Sequence, residues 1–408
     1  MAHRTFLIAL LALACLLTPT KLSGQVTPVA GPFQVSPRSY GFNEPGQYSA
    51  FNPALAALAD GSFVVAWDED LVLESGGNDI LLDIYARQVH PDGTLGRAFL
   101  VDRGGLTRDL SPEAPELAGD GRGGYTLVWT RSYFGGADLL YEHVGSGTGG
   151  IIFPEEEGAI TSSAVATNAA GDWVIAWQAD PLDGTDRLHV AFRAFRASGE
   201  PSSPEIRIRP ADPKVSLSNP RVAFTADGFV LVWEASGGPR PKVLQGRSFA
   251  PDGTPLGPIF QVGRQPGAWD VLSDGSDELW VAWQSVLPTH RETIRLSHYT
   301  SAGGRLESRR LGTSNGLWRI HMNRRSEIAF VWTEPDNRVL LQVLDQVAVP
   351  KGTRQWVTRA SRDSIWNIDV AISDTGSVLA VWTSTRRVTT PFGAIDAPLV
   401  GKLWQVEE

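Results

Sequence analysis

Short apolar runs alternate with turn residues along most of this 408-residue chain, and seven of those runs end in tryptophan. Phe63-Val-Val-Ala-Trp67 is an example, and such a nearly continuous apolar run is typical of a strand buried on both faces. The gaps between successive tryptophans are 62, 48, 56, 50, 49 and 50 residues. The seven residues are Trp67, Trp129, Trp177, Trp233, Trp283, Trp332 and Trp382. A period of this length indicates a repeat architecture.

Each tryptophan closes a repeated phrase of two strands, which we name strands a and b. Strand a is a short apolar run, a turn rich in Asp and Gly follows, and strand b ends at the tryptophan. Turns such as Asp60-Gly61 and Asp227-Gly228 are strong hairpin signals between β-branched runs. The sixth copy departs from this pattern because Asn323-Arg-Arg-Ser326 replaces the Asp-Gly turn.

A second phrase follows most copies and adds strands c and d around another turn. Its best copies are residues 84–102 and 244–263, and weaker copies are residues 190–209 and 296–312. Four antiparallel strands in about 50 residues make one propeller blade. We therefore predict an all-β, seven-bladed β-propeller as a single domain over residues 25–408. The predicted blades lie near residues 52–103, 111–154, 160–209, 216–263, 267–312, 316–359 and 365–406, the last completed by 31–36.

The two ends of the chain predict how the ring closes. The seventh repeat has strands a and b around Trp382 and a strand c at residues 399–406, and the chain then stops without a strand d. Gly31-Pro-Phe-Gln-Val-Ser36 matches the strand d at Pro258-Ile-Phe-Gln-Val-Gly263 but has no a, b or c strand before it. We therefore expect the N-terminal strand to complete the last blade, which removes the open edges of the array.

The repeated phrase resembles A-x-D-G-x-[FY]-V-V-x-W followed by D-x-x-G-x-x-x-G, a repeat of exported bacterial proteins. The chain is similar over residues 31–406 to the seven-bladed propeller-repeat proteins of bacterial envelopes and surface adhesins. The match is good in the first and fourth blades and looser in the fifth and sixth. The resemblance implies the fold and an envelope location, and it supplies no shared catalytic motif.

Composition and the N-terminal residues indicate where the protein is located. The first 24 residues combine a basic start with the apolar stretch 6–17, and they read as a signal peptide cut after Gly24. Lipid anchoring through Cys15, the single cysteine, is the alternative. No later segment is apolar enough to span a membrane. The formal net charge of −9 argues against nucleic acid as a partner, and we expect an extracytoplasmic monomer.

Binding residues are expected on the face that carries the b–c and d–a loops, because these loops vary while the a–b and c–d turns are short and uniform. The residue after each tryptophan lies at that end of strand b and is always polar. The ligand-binding candidates are Asp68, Gln178, Glu234 and Gln284. A simpler interpretation is that strand b leaves the core there and its next side chain meets water. The tryptophans themselves are interpreted as packing between blades, with aromatic platforms for sugars as the alternative.

Metal and catalytic signals are sparse. Asp183-Gly-Thr-Asp186 offers two carboxylates, so Asp183 and Asp186 are weak calcium candidates, although turn chemistry also explains them. The chain has no H-E-x-x-H zinc motif and no G-x-S-x-G elbow. No cofactor is expected.

Two functional hypotheses follow, and a purely structural spacer is a third. The first is a non-enzymatic binding or scaffold module that contacts an envelope protein or glycan through the loop face. The alternative is a polysaccharide hydrolase or lyase with acids such as Asp68 and Glu234 at the channel mouth, since carboxylates from different blades converge only in space.

Overall fold

All the regular structure in the described part of the chain is β-strand. The computed structural model describes residues 25–37, 46–73, 80–104, 111–152, 159–180, 188–210, 212–237, 241–264, 266–285, 293–313, 316–334, 336, 338–358, 365–384, 386–387 and 395–407. The predicted signal peptide, residues 1–24, lies outside these ranges. Within them, no helix reaches the length and hydropathy of a membrane span.

The strands follow one another with short turns, as an all-β repeat requires. In chain order they are β1 (Val26–Gln34), β2 (Gly46–Ala57), β3 (Phe63–Leu73), β4 (Ile80–Val89), β5 (Phe99–Arg103), β6 (Ser111–Gly119), β7 (Tyr125–Tyr133), β8 (Gly136–His143), β9 (Thr148–Ile152), β10 (Ala159–Thr167), β11 (Trp173–Asp180), β12 (His189–Phe195), β13 (Ile206–Ile208), β14 (Ser216–Thr225), β15 (Gly228–Ser236), β16 (Val243–Phe249), β17 (Phe260–Arg264), β18 (Pro266–Leu272), β19 (Glu278–Ser285), β20 (Thr293–Thr300), β21 (Arg305–Thr313), β22 (Trp318–Met322), β23 (Ile328–Thr333), β24 (Val339–Leu344), β25 (Pro350–Thr358), β26 (Ile365–Ile372), β27 (Ser377–Ser384), β28 (Arg386–Arg387), β29 (Ile395–Asp396) and β30 (Leu399–Val406).

The sheets are antiparallel and form a β-propeller. Five four-stranded sheets stand alone, with the orders β2–β3–β4–β5, β14–β15–β16–β17, β18–β19–β20–β21, β22–β23–β24–β25 and β26–β27–β30–β1. The inner strand of each sheet contacts the inner strands of its neighbours, in the closed order β2, β6, β10, β14, β18, β22, β26 and back to β2. The sheets therefore radiate from a common centre.

Seven separate four-stranded sheets were expected, and the structure differs from that count. Strands β6 to β13 belong to one eight-stranded sheet. The reason is local: β8 and β10 share a single parallel pair, Ala137 with Ala159, and this pair joins two runs of four strands. The remaining separate four-stranded sheets number five.

The N-terminal strand pairs with the C-terminal strand, as the orphan strand d predicted. Val26 lies opposite Val406, and Phe33 lies opposite Gly401. The backbone N–H of Val35 donates to the carbonyl of Leu399 at 2.7 Å. The strand begins at Val26, earlier than residue 31, so β1 covers more of the edge of β30 than the sequence indicated. Both ends of the chain thus share one sheet.

The recurring tryptophans are packed between sheets rather than exposed as platforms. Trp67, Trp177 and Trp233 are almost wholly buried, and Trp283 is the one half-buried member of the seven. Trp67 packs in one cluster with Leu379 and Leu403 of the neighbouring sheet. A side chain of this size supplies a large apolar contact between sheets, which explains its recurrence.

Candidate functional site

A single cavity runs along the centre of the propeller. The inner strands β2, β6, β10, β14, β18, β22 and β26 all contribute to its wall, and its volume is about 610 Å³. This volume lies in the range of small-molecule sites. Asn52, Ala114 and Asn367 border the cavity at the end where the inner strands begin, and Gly121 and Arg324 border it at the end where they turn.

One level of this wall is a ring of charged side chains, which we name the charge ring. Each ring position pairs with the residue immediately before a recurring tryptophan, so the seven positions share one register. In order around the channel the ring consists of Ala54, Glu116, Ala164, Arg221, Asp270, Arg319 and Asp369. Five charges therefore converge inside one cavity, and alanines occupy the other two positions.

Irregular pairing just before the ring positions aims these side chains inward. The register shifts between Phe51 and Ala54, between Glu113 and Glu116, and between Ser218 and Arg221. A bulge inserts an extra residue and re-aims the next side chain. Three of these bulges contain a residue with positive φ, namely Asn52, Ala114 and Asn219.

The next inward-facing level leaves room beneath the charges. It is made largely of alanines such as Ala56, Ala118 and Ala223, and they also line the cavity. Small side chains at this level keep the channel open below the ring.

The charges of the ring are close enough to interact. Arg221 Nε lies 3.9 Å from Asp270 Oδ1. The backbone N–H groups of Val271 and Val370 donate to the carboxylates of Asp270 and Asp369, each at 2.8 Å. Glu116 receives no hydrogen bond from any described residue, and only the more distant charges of Arg221, Asp270 and Arg319 act on it. Its carboxylate is the least satisfied acid of the ring.

Burial sets the protonation of the ring. It raises the pKa of the Asp369 carboxyl to about 7, against the opposing effect of Arg319. Burial likewise raises the pKa of the Glu116 and Asp270 carboxyls, and Arg221 again opposes it. These shifts mean that the folded chain holds acid groups in positions that disfavour their ionised form.

A histidine lies one level below Arg319 on the same strand. Burial lowers the pKa of His321 to about 4, so the imidazole is neutral near pH 7. Its Nδ1 accepts a hydrogen bond from the backbone N–H of Ile372 at 3.3 Å, which leaves the proton on Nε2. His321 therefore presents a neutral polar group to the channel.

One end of the channel is crossed by Arg324. This residue lies in the β22–β23 turn, where Asn323-Arg-Arg-Ser326 replaces the usual Asp-Gly, and the predicted hairpin is formed. The guanidinium Nη2 donates to the backbone carbonyl of Asp120 in the β6–β7 turn at 2.8 Å. A Cβ at Gly121 would overlap this guanidinium and displace it, and the φ of 65° at this position also favours glycine. Since β22 and β6 stand three places apart in the ring, the side chain spans the channel and obstructs this end.

The structure places the predicted candidates Asp68 and Gln178 between neighbouring inner strands. Both are buried, and neither lines the central cavity. Asp68 Oδ2 accepts from Asn52 Nδ2 at 2.8 Å and from the backbone N–H of Ala114 at 3.3 Å. Gln178 Oε1 accepts the backbone N–H of Asn219 at 3.0 Å. These side chains hold the bulge of the next inner strand.

Glu234 and Gln284 also directly follow a recurring tryptophan, and both contact the next sheet around the ring. Glu234 Oε1 accepts from Trp269 Nε1 at 3.0 Å, and its Oε2 pairs with Lys242 Nζ at 2.5 Å. Gln284 Oε1 accepts from Trp318 Nε1 at 3.4 Å. Both side chains are buried and lie outside the cavity wall, so the four candidates do not form an exposed ring.

The weak calcium candidates Asp183 and Asp186 lie outside the described residues. Within the described ranges, no group of three or more His, Cys, Asp or Glu side chains is arranged to hold a metal ion.

Sequence reasoning missed the charge ring, although a signal for it exists. The five charged ring residues lie in inner strands, 12 or 13 residues before five of the seven recurring tryptophans. Arg319 and Asp369, for example, each interrupt an apolar inner strand. Polar residues alternate with apolar ones along a strand in the same way whether they face a channel or bulk solvent. The sequence pattern therefore does not distinguish the two, and the closed ring of strands is needed to tell them apart.

The chain matches no protein-family model and no curated protein. Among solved structures it is similar to a protein of unknown function from Dyadobacter fermentans, with 12% identity, a TM-score of 0.47 and coverage of 94% of this chain and 99% of that one. It is also similar to the β-propeller domain of the Trilobed protease from Pyrococcus furiosus (13% identity, TM-score 0.47, coverage 86% and 94%). An α-L-arabinofuranosidase from Fusarium graminearum gives 9% identity, a TM-score of 0.43 and coverage of 92% and 98%.

Asp369→Asn is expected to stabilise the chain at high pH only. The carboxyl keeps its proton in the folded chain up to about pH 7, whereas a free aspartate loses it near 3.8. Stability from this residue therefore falls as pH rises from about 4 to 7, and the penalty is complete above 7. Because the carboxyl borders an open channel, we expect a gain of about 1–2 kcal/mol near pH 8 and none near pH 4.

Urea unfolding of the Asp369→Asn variant at both pH values measures this difference. Asp60→Asn is the matched control, because hydrogen bonds from Ser62 lower the pKa of Asp60 and its loss should reduce stability at high pH. An Asp369→Asn effect of equal size at both pH values would contradict the assignment.

Proposed function

We propose that this chain is a non-enzymatic binding module whose central channel takes the end of a polar glycan. The observation that carries the proposal is the charge ring, in which five charged side chains from five inner strands face one cavity. The ligand enters from the end bordered by Asn52 and Asn367, because Arg324 crosses the other end.

The cost of holding these charges supports a binding role. Burial disfavours ionised carboxylates, and a group buried for structure alone is normally satisfied by hydrogen bonds. Glu234 behaves in that way, because Trp269 of the next sheet donates to one of its carboxylate oxygens and Lys242 pairs with the other. Asp68, in contrast, has partners for Oδ2 and none among the described residues for its buried Oδ1. Glu116 differs, because no described residue donates a hydrogen bond to it. A ligand that supplies the missing partner would account for such a group.

The proposal includes two further expectations from the sequence, which are the number of blades and export. The eight-stranded sheet is treated as two blades bridged at Ala137 and Ala159, which makes seven blades around seven inner strands. Export through the signal peptide at residues 1–24 would bring this channel to the glycans of the cell envelope.

Hydrolysis of a polysaccharide is the second candidate function, and one observation favours it. Asp369, with a pKa of about 7, is suited to donate a proton near neutral pH, and Glu116 and Asp270 stand in the same cavity. Release of reducing ends from an oligosaccharide, lost in Asp369→Asn, would support this candidate over binding alone.

The proposed binding can be measured by isothermal titration calorimetry with four oligosaccharides. The probes are β-1,4-linked hexamers of glucose, glucosamine and N-acetylglucosamine, together with hexagalacturonate. We expect one of them to bind, and we expect Glu116→Gln with Asp369→Asn, or Arg221→Gln with Arg319→Gln, to weaken that binding by about tenfold or more, since each removes two charges that face the ligand.

Arg305→Gln is the matched control, because Arg305 is an exposed arginine on the outer strand β21. It should bind the same probe as tightly as the unaltered chain. Equal binding by the ring variants and the control, or binding of none of the four probes, would contradict the proposal.

A further inference from the structure

Two stacked aromatic side chains form a platform near the end of the channel where the inner strands begin. Trp366 is the only exposed residue among the fourteen tryptophans, all of which lie in the described ranges, and 44% of its surface is accessible. Its ring stacks on that of Phe51, with centroids 5.8 Å apart and an interplanar angle of 18°. Phe51 and Trp366 directly precede Asn52 and Asn367, which border the cavity. The platform therefore lies beside the channel wall, and neither of its rings lines the cavity itself.

The part of the charge ring below this platform is acidic. Trp366 and Asp369 share the inner strand β26, and Phe51 shares β2 with Ala54. Continuing around the ring, the next charge is Glu116 on β6. This sector thus contributes two carboxyl groups and no cation of its own, although Arg319 on the adjacent strand β22 acts on both of them. The rest of the ring alternates as Arg221, Asp270 and Arg319.

We propose that the glycan end bound in the channel is a protonated amino sugar, whose ring lies on Trp366 and whose ammonium group faces Asp369 and Glu116. This inference rests on the proposed function and names its ligand class. The exposed face of an indole suits the apolar C–H face of a sugar ring, and it attracts a nearby cation. The ammonium group supplies the hydrogen-bond donor that Glu116 lacks among the described residues.

Charge excludes the other sugar classes from this position. An acidic sugar would meet two carboxylates in the sector below Trp366, on a chain of formal net charge −9. A neutral sugar would stack but would add no cation to the two that already act on these carboxyl groups, Arg221 and Arg319. Because Arg324 crosses the other end of the channel, the amino sugar is placed at a chain end in this proposal.

The test compares hexamers of glucosamine, N-acetylglucosamine and glucose at about pH 6, because they share one linkage and differ in the group at C2. At this pH the free chain still holds the Asp369 proton, which the ammonium group displaces on binding. We expect the glucosamine hexamer to bind at least about tenfold more tightly than the other two, since only it carries a cation. Trp366→Ala should weaken this binding about tenfold or more, and Trp366→Phe should weaken it less because a ring remains.

Phe134→Ala is the matched control for the platform. Phe134 is an exposed aromatic side chain in the β7–β8 turn, 99% accessible and outside the cavity wall, so its loss should leave binding unchanged. Thermal unfolding of each variant checks that the fold is retained.

Two results would overturn the inference: Trp366→Ala binds like the unaltered chain, or the N-acetylated hexamer binds as tightly as the glucosamine hexamer. In either case, the proposed function survives if the charge-ring variants still weaken binding of whichever probe is bound. If those variants also have no effect, both proposals fail.

Discussion

A chain that lacks residues 25–37 is expected to lose roughly 5 kcal/mol of unfolding free energy, because its N-terminal strand β1 pairs with β30 and closes the ring. Strand β1 buries Val26, and Val35 follows it into the core with no accessible surface. Each buried valine contributes about 1.5–3 kcal/mol, and the half-buried Phe33 packs in the same cluster as Val35. Deletion also exposes the edge of β30.

Thermal and urea unfolding of the shortened chain measure this loss. Deletion of residues 1–24 is the control, because it removes only the predicted signal peptide and leaves β1 in place. A synthetic peptide of residues 25–37, added in trans, should restore part of the lost stability. An unchanged melting temperature after deletion of residues 25–37 would contradict the closure.

The Asp102→Ala variant should show the second largest effect, a loss of about 2–4 kcal/mol of unfolding free energy. Asp102 ends β5 and is buried, and its carboxylate joins that sheet to the next one. Oδ2 accepts from Trp129 Nε1 at 2.6 Å, and Oδ1 pairs with Arg131 Nη2 at 2.5 Å. Truncation leaves a buried indole N–H and a half-buried guanidinium without this acceptor, which is the costly way to break such a contact.

Asp336→Ala is the matched control, since Asp336 also pairs with an arginine at 2.5 Å but half of its side chain is exposed, against 7% for Asp102. We expect little or no change there, because exposed ion pairs contribute little to stability. Asp102→Asn should fall between the two, as it keeps one acceptor oxygen. Equal effects of Asp102→Ala and Asp336→Ala would show that the contact between sheets is not stabilising.

The strands and the closure were predictable from local pattern. Apolar runs that end in tryptophan identify the buried strands, and Asp60-Gly61 identifies a turn whose glycine has φ of 83°. The orphan strand near Phe33 was recognisable because it repeats the phrase at Phe260. These features depend on residues close together in the chain, where periodicity and turn chemistry are informative.

The site could not be predicted in the same way because it depends on contacts between distant strands. The polarity of the residue after each tryptophan suggested a ring at the mouth, but Asp68 and Gln178 turn toward the backbone of the next inner strand. The charges that do face the channel, such as Glu116 and Arg319, follow bulges or strand starts whose register is set by the neighbouring strand. The pair that joins β8 to β10 is likewise a single contact between backbones, without a sequence signature.

The exposed tryptophan of the platform, Trp366, likewise could not be identified from the sequence. Fourteen tryptophans occur in the chain, and the seven recurring ones were correctly interpreted as packing. Trp366 is not one of the seven recurring tryptophans, and nothing in its local sequence distinguishes it from a core residue. Its exposure follows from the place where β26 meets β2 at the open end of the channel.

The most direct test of the central claim is a crystal structure of the chain with the glucosamine hexamer bound. The account predicts density for the terminal sugar in the central channel, with its ring against Trp366 and its amine within hydrogen-bond distance of Asp369 or Glu116. Density for the hexamer only on the outer strands, with the channel empty at saturating ligand, would contradict it.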